Sequence, residues 1–159
     1  MILDAPLAGI DGWQDALSGP AAWHAYFMQV PDLPEALVPG HQKEYLGYFF
    51  KFGKISPTAA EHYVKAAGPE QLHAWFEMYR AFAANEKLGE SQTAPNAVPL
   101  VYGAGEKSPF AQLVPKFVAG LRAKGMNNVE TASIRGAVHY VVDDAPEEVA
   151  KLIETHAQR

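Results

Sequence analysis

The run Gly136-Ala-Val-His139-Tyr-Val-Val-Asp-Asp-Ala-Pro146-Glu-Glu-Val149 decides how this chain folds. It follows Val129 to Ile134, whose composition reads as a strand, and it leads through Pro146 into an amphipathic helix reaching about His156. His139 is thereby set in a loop between a strand and a helix. That is the carboxyl edge of a sheet, where an α/β enzyme keeps a general base.

Working back from that loop, Phe110 to Lys124 reads as a helix stopped by Gly125. Val98-Pro-Leu-Val-Tyr102 reads as a buried strand, with Gly103-Ala-Gly-Glu-Lys-Ser108 as the loop leaving it. Polar and turn residues from Gly89 to Asn96 form a linker. Before it lies a helical region. Tyr45, Tyr48, Phe49 and Phe52 share one face of a helix from His41 to about Phe52, and Ser56-Pro57 caps and opens a second that ends at Gly68. Pro69 opens a third, with Leu72, Phe76, Tyr79 and Phe82 along a stripe through roughly Leu88. At the front, Ile2 to Asp4 reads as the tail of a short strand and Ala5-Pro-Leu-Ala-Gly9 as its exit loop. Strand, helical insertion, strand, helix, strand, helix predicts an α/β fold: a short, mostly parallel sheet with right-handed crossovers and flanking helices. Residues 1–10 and 94–159 supply the sheet unit, and 11–93 the helical one.

Composition narrows the function classes. The 159 residues, 48% hydrophobic and 19% charged, suffice for one core and fall short of two full domains. A net charge of −5 with scattered lysines and arginines disfavours a phosphate backbone as partner, so no nucleic-acid function is expected. With no cysteine there is no disulfide scaffold, thiol catalysis or cysteine-ligated zinc. No apolar run approaches about 18 residues and no signal-peptide pattern occurs, which leaves no membrane partner and the cytoplasm as the default compartment.

Four segments in order carry a resemblance: Leu3-Asp-Ala-Pro-Leu7, Trp23-His24 with Val30-Pro-Asp-Leu-Pro-Glu35, Met78-Tyr-Arg-Ala81, and Gly105-Glu-Lys-Ser108 followed by the His139 region. Together they resemble the α-helical cap and C-terminal half of α/β-hydrolases of the epoxide hydrolase and haloacetate dehalogenase group. The resemblance implies a partial α/β-hydrolase fold that uses no cofactor. It makes His139 the base that activates water against an alkyl-enzyme ester, and Asp4 the acid that orients it, with Glu106 as the alternative acid. His24 and Tyr79 would hydrogen-bond the epoxide oxygen or departing halide, with Trp23 beside them in the substrate-binding set. Val138 departs from the family pattern, which usually has glycine there.

The family's first strands, its oxyanion segment and its aspartate nucleophile lie outside the resemblance. The chain opens on Met1-Ile-Leu-Asp4 as though a strand were entered halfway. No G-x-S-x-G occurs, and none of Asp11, Asp15, Asp32, Asp143 or Asp144 stands on a strand-turn-helix with flanking glycines. Three functions follow as expectations: a self-associating remnant with a pocket for a small apolar substrate or ligand; one subunit of a split epoxide hydrolase or dehalogenase completed by a complementary half; or a hydrolase of altered, non-covalent mechanism in which Asp4 and His139 act on bound water. Covalent catalysis by the chain alone is not expected. An exposed sheet edge at Ile2 and Leu3 suggests a homodimer paired across a two-fold.

Plainer roles compete at each position. Asp4 could cap a local turn, and His24 and Tyr79 could be core residues. His41, His62, His73 and His156 show no metal-ligand spacing and read as surface. Asp143, Asp144, Glu147 and Glu148 suit the start of the last helix through its dipole.

Overall fold

The computed structural model describes residues 1–157. Its sheet has three strands, β1 (Ile2–Leu3), β2 (Leu100–Gly105) and β3 (Val129–Ile134), ordered β1-β2-β3 and parallel throughout. Between β1 and β2 come α1 (Trp13–Leu17), α2 (Trp23–Phe27), α3 (Leu33–Leu37), α4 (Gln42–Phe50), α5 (Pro57–Ala66), α6 (Pro69–Arg80) and α7 (Phe82–Ser91). The crossover from β2 to β3 is α8 (Val114–Ala123), and α9 (Val141–Asp144) and α10 (Pro146–Ala157) follow β3. Among the described residues no helix is long and apolar enough to cross a membrane.

Strand alternation dictates the layers. Ile2, Tyr102 and Val129 turn to one face of the sheet, where Phe117, Val118 and Leu121 of α8 cover them. Leu3 and Ile134 turn to the other, against Val141, Val149 and Leu152. A third core lies among the helices between β1 and β2, built from Met28, Val38, Leu46, Leu72 and Phe76. The sheet therefore carries helices on both faces, as its parallel pairing requires.

Local chemistry explains where the elements begin. Proline stands at the start of α5, α6 and α10, where its missing N–H leaves no bond unmade, and the Ser56 hydroxyl accepts from the Ala59 N–H at 3.1 Å to cap α5. Tertiary packing changes other boundaries. The single helix expected from Pro69 to Leu88 divides at Ala81, and Phe82 packs edge-on against Trp13 of α1 with ring centroids 5.0 Å apart. The aromatic stripe of α4 is only partly inward: Tyr45 and Phe49 join the core around Leu46, while Tyr48 and Phe52 are exposed. The second strand runs on to Gly105, beyond the Tyr102 end expected from sequence, because pairing continues to Gly105 opposite Ile134.

Candidate active site

All three strands end at the same edge, and each delivers one part of a polar cluster. Asp4 follows β1, and its N–H continues the ladder to the Gly103 carbonyl at 2.7 Å. Its backbone then turns into the left-handed region at φ 50°, which aspartate tolerates better than most residues. The turn is held from below by the Tyr102 hydroxyl, which donates to the Ala5 carbonyl at 2.8 Å. Gly105 to Ser108 leave β2, and Gly136 to His139 leave β3.

The Asp4 carboxylate is 1% exposed, a burial that is costly for a charged group without partners. It has three. Gly105 N–H donates to Oδ1 at 3.0 Å, while the Ser108 hydroxyl at 2.8 Å and His139 Nδ1 at 2.7 Å both address Oδ2. Ser108 is itself oriented, since its oxygen accepts from the Phe110 N–H at 3.0 Å. An ionised carboxylate only accepts, so facing one the neutral form of the imidazole carries its proton on Nδ1 and its lone pair on Nε2. The His139 side chain is 35% exposed and lies edge-on to Phe110, with centroids 5.3 Å apart. A buried carboxylate, a hydroxyl and a partly exposed imidazole are thus brought together from three loops.

Glu106 is occupied elsewhere: its Oε2 accepts from Gly136 N–H at 2.9 Å, closing the turn after β3 rather than meeting His139. Val138 introduces no strain, because the only described non-glycine residues at positive φ are Asp4 and Asp32. The left-handed position in that loop is Gly136, at φ 73°. Close approach falls instead on Gly105, where a Cβ would stand 1.9 Å from the Val138 carbonyl oxygen.

His24, Trp23 and Tyr79 gather in one aromatic cluster between α2, α4 and α6. The rings of His24 and Tyr79 are 6.1 Å apart, and Trp23 stacks on Phe49 at 5.9 Å. Burial pushes the Tyr79 hydroxyl up from its ordinary pKa. Burial, with Tyr79 and Asp144 nearby, pushes Tyr140 up to about 12. Tyr79 therefore lies within electrostatic reach of the residue next to His139, and both hydroxyls stay protonated donors at neutral pH. The Tyr45 hydroxyl is also raised, by burial and by Tyr79, and is buried without a hydrogen-bond partner among the described residues. Tyr45 was visible only as part of the α4 stripe; no sequence signal marked its hydroxyl.

Glu35, His73 and Glu77 bring ligand-type atoms within 4.8 Å of one another. The positive charge already held there is Arg80, which forks onto Glu35 at 2.7 and 2.8 Å and reaches Glu77 at 2.6 Å. Two surface depressions lie at the far edge of the sheet, one lined by Pro95, Asn96 and Asn128 and the other by Leu100, Glu130 and His156, remote from the Asp4–His139 pair.

No family model matches the chain, and no curated protein matches it. Solved structures do. Cfl2 from Burkholderia cenocepacia is similar over 97% of this chain and 55% of its own, at 20% identity and a TM-score of 0.78. The epoxide hydrolase CorEH is similar over 97% of this chain and 56% of its own, at 18% identity and a TM-score of 0.78. The haloalkane dehalogenase DatA from Agrobacterium tumefaciens is similar over 96% of this chain and 55% of its own, at 17% identity and a TM-score of 0.68. The chain spans about half the length of the structures it matches. It has a partial α/β-hydrolase fold, similar to that of epoxide hydrolases and haloalkane dehalogenases.

Proposed function

We propose that this chain carries the acid–base half of a hydrolase site of the epoxide hydrolase kind, with the nucleophilic carboxylate and oxyanion donors supplied by residues outside these 159. The observation that carries the reading is the Asp4–His139 contact at 2.7 Å, with every other bond to the buried carboxylate supporting the same orientation. A turn-capping aspartate does not need a partly exposed imidazole as its partner.

In the completed site, a carboxylate oxygen of the nucleophile attacks a carbon of a small apolar epoxide or haloacid. A carbon–oxygen ester bond forms as the carbon–oxygen or carbon–halogen bond breaks. Tyr79 and His24 donate to the departing oxygen or halide, and Trp23 walls the apolar side. His139 Nε2 then takes a proton from water, whose oxygen adds to the ester carbonyl. Collapse of that adduct releases the alcohol and restores the carboxylate, and the proton on His139 returns to the product oxygen or to solvent. Asp4 holds the imidazole by Nδ1 and stabilises its charged form.

The test is the native mass of the complex formed by the tagged chain in its own host, followed by epoxide and haloacid turnover by that complex. A second polypeptide, with turnover lost on His139→Gln, supports the reading. A homodimer without turnover overturns it in favour of a self-associating remnant.

A further inference from the structure

The backbone beside His139 is fixed from a direction that the acid–base pair does not explain. Asp144, at the end of α9, turns both carboxylate oxygens away from its own helix. Oδ2 accepts from the Val138 N–H at 2.7 Å, and Oδ1 accepts from the N–H of Lys54. Val138 immediately precedes the imidazole, whereas Lys54 lies in the turn joining α4 to α5, 90 residues from Asp144.

The same turn grips the loop on both sides of His139. Lys54 Nζ donates to the Gly136 carbonyl at 2.8 Å. Gly53 lies under the Tyr140 ring, where a Cβ would stand 2.6 Å from the nearest ring carbon. Next door, Asp143 accepts the Tyr63 hydroxyl of α5, 3.1 Å from each oxygen. A helix-dipole role for Asp144, the expectation from sequence, leaves this pattern unaccounted for. A half-buried carboxylate holding main-chain N–H groups from two distant loops is a joint between them.

We infer that Asp144 is a positioning residue for His139, tying the main chain that carries the base to the α4–α5 turn. Asp144 is then the side chain that joins the main chain of the α4–α5 turn to the main chain of the loop bearing the imidazole, beside the links made by Lys54 and Asp143. This rests on the reading of Asp4 and His139 as acid and base.

The experiment is proton NMR of the full 159-residue chain, following exchange with water of the His139 Nδ1 proton. That resonance is assigned by its loss in His139→Gln and in Asp4→Asn. In Asp144→Ala its exchange should quicken about tenfold or more, as expected when a charged hydrogen bond that orders the loop is removed. The amides of Val101 and Tyr102 in β2 should keep their protection, and Asp143→Ala should leave the Nδ1 proton unchanged. Asp144→Asn, which retains one acceptor oxygen, should fall between and serves if the alanine variant does not fold. Unchanged exchange in both Asp144 variants, or exchange that rises in step with Val101 and Tyr102, overturns the inference. If the wild-type protein lacks a resonance that Asp4→Asn removes, the acid–base reading fails instead.

Discussion

Asp4 Oδ2 and His139 Nδ1 stand 2.7 Å apart although 135 residues separate them in sequence. The contact exists because β1 and β3 flank β2 in parallel, so that loops distant in sequence leave one sheet edge side by side. Replacing Asp4 by alanine would strand the Gly105 N–H, the Ser108 hydroxyl and the imidazole together. Leaving a buried donor unsatisfied costs about 1–3 kcal/mol, and the Gly105 N–H and Ser108 hydroxyl both lose their acceptor, so Asp4→Ala should lower the urea midpoint in unfolding followed by tryptophan fluorescence. Asp4→Asn keeps the volume and should cost the fold less. It would nonetheless favour the wrong imidazole tautomer, and in the completed enzyme turnover should fall on the order of 10³–10⁴-fold. Equal activity of Asp4→Asn and wild type would remove Asp4 from the chemistry.

Gly105 and Gly136 make a matched pair for testing how the His139 loop is held. At Gly105 a Cβ would overlap the Val138 carbonyl at 1.9 Å, and both are main-chain positions with little freedom to move. Gly105→Ala should therefore cost about 3 kcal/mol, or force the loop away from β2. At Gly136 the nearest atom to a new Cβ is the flexible Lys54 Nζ at 3.8 Å, so the penalty comes only from φ 73°. That penalty is about 1–2 kcal/mol. Chemical denaturation of both variants decides the matter; the reverse order of damage would mean the loop is not seated on β2.

Phe76, fully buried at 0% exposure, anchors the core of the helices between β1 and β2. Its truncation to alanine leaves a cavity that packed neighbours such as Leu72 and Leu46 fill only in part, with a cost of about 3–5 kcal/mol. Calorimetry should show whether the whole molecule or only part of it loses stability. An unchanged transition temperature would be incompatible with the packing.

Much of this architecture is legible in the chain because its punctuation is local. β3 is bounded as its residues predict, and Pro57, Pro69 and Pro146 mark helix starts because proline needs no N–H partner there. Ends set by tertiary contact are not legible. Nothing at Ala81 announces a break, which accompanies the packing of Phe82 on Trp13. Asp4 and His139 can be placed on loops from the sequence, and the resemblance suggests their roles, but which acid meets the imidazole depends on strand register. Glu106 and Asp4 both leave the same sheet edge, and only the folded chain places Glu106 on Gly136. Asp144 was hidden for the same reason: an acid before a helix has an adequate local explanation, and its partners at Val138 and Lys54 arise from the fold.

Glu35 and Arg80 should give acid unfolding a recognisable component. Arg80 holds the Glu35 carboxyl down from its ordinary 4.5 to about 2. A depressed folded-state value means that the pair's contribution is fully present above pH 4.5 and is lost as pH falls through about 2. Glu35→Gln should lower stability at pH 7 and flatten the pH dependence within that window. Denaturation midpoints at pH 6, 4 and 2.5 test it; parallel curves for variant and wild type would show that the fork is not maintained in solution.

Under the proposed function Tyr79 and His139 would serve different chemical steps, which would make them separable by single-turnover kinetics on a completed enzyme. Burial holds the Tyr79 hydroxyl protonated, and under the proposed function it would donate to the leaving oxygen or halide and so act while the ester forms. Loss of one such donor typically costs about 10²–10³-fold, so Tyr79→Phe should slow formation of the ester and leave its hydrolysis nearly unchanged. His139→Gln should do the opposite, allowing the ester to form at the wild-type rate and then accumulate, since no base remains to activate water. Intact-mass measurement distinguishes the two directly, by a covalent adduct in the His139 variant and little or none in the Tyr79 variant. Accumulation of the adduct in Tyr79→Phe would move that hydroxyl from the departing group to the water side of the reaction, leaving His24 and Tyr45 as the donors to test next.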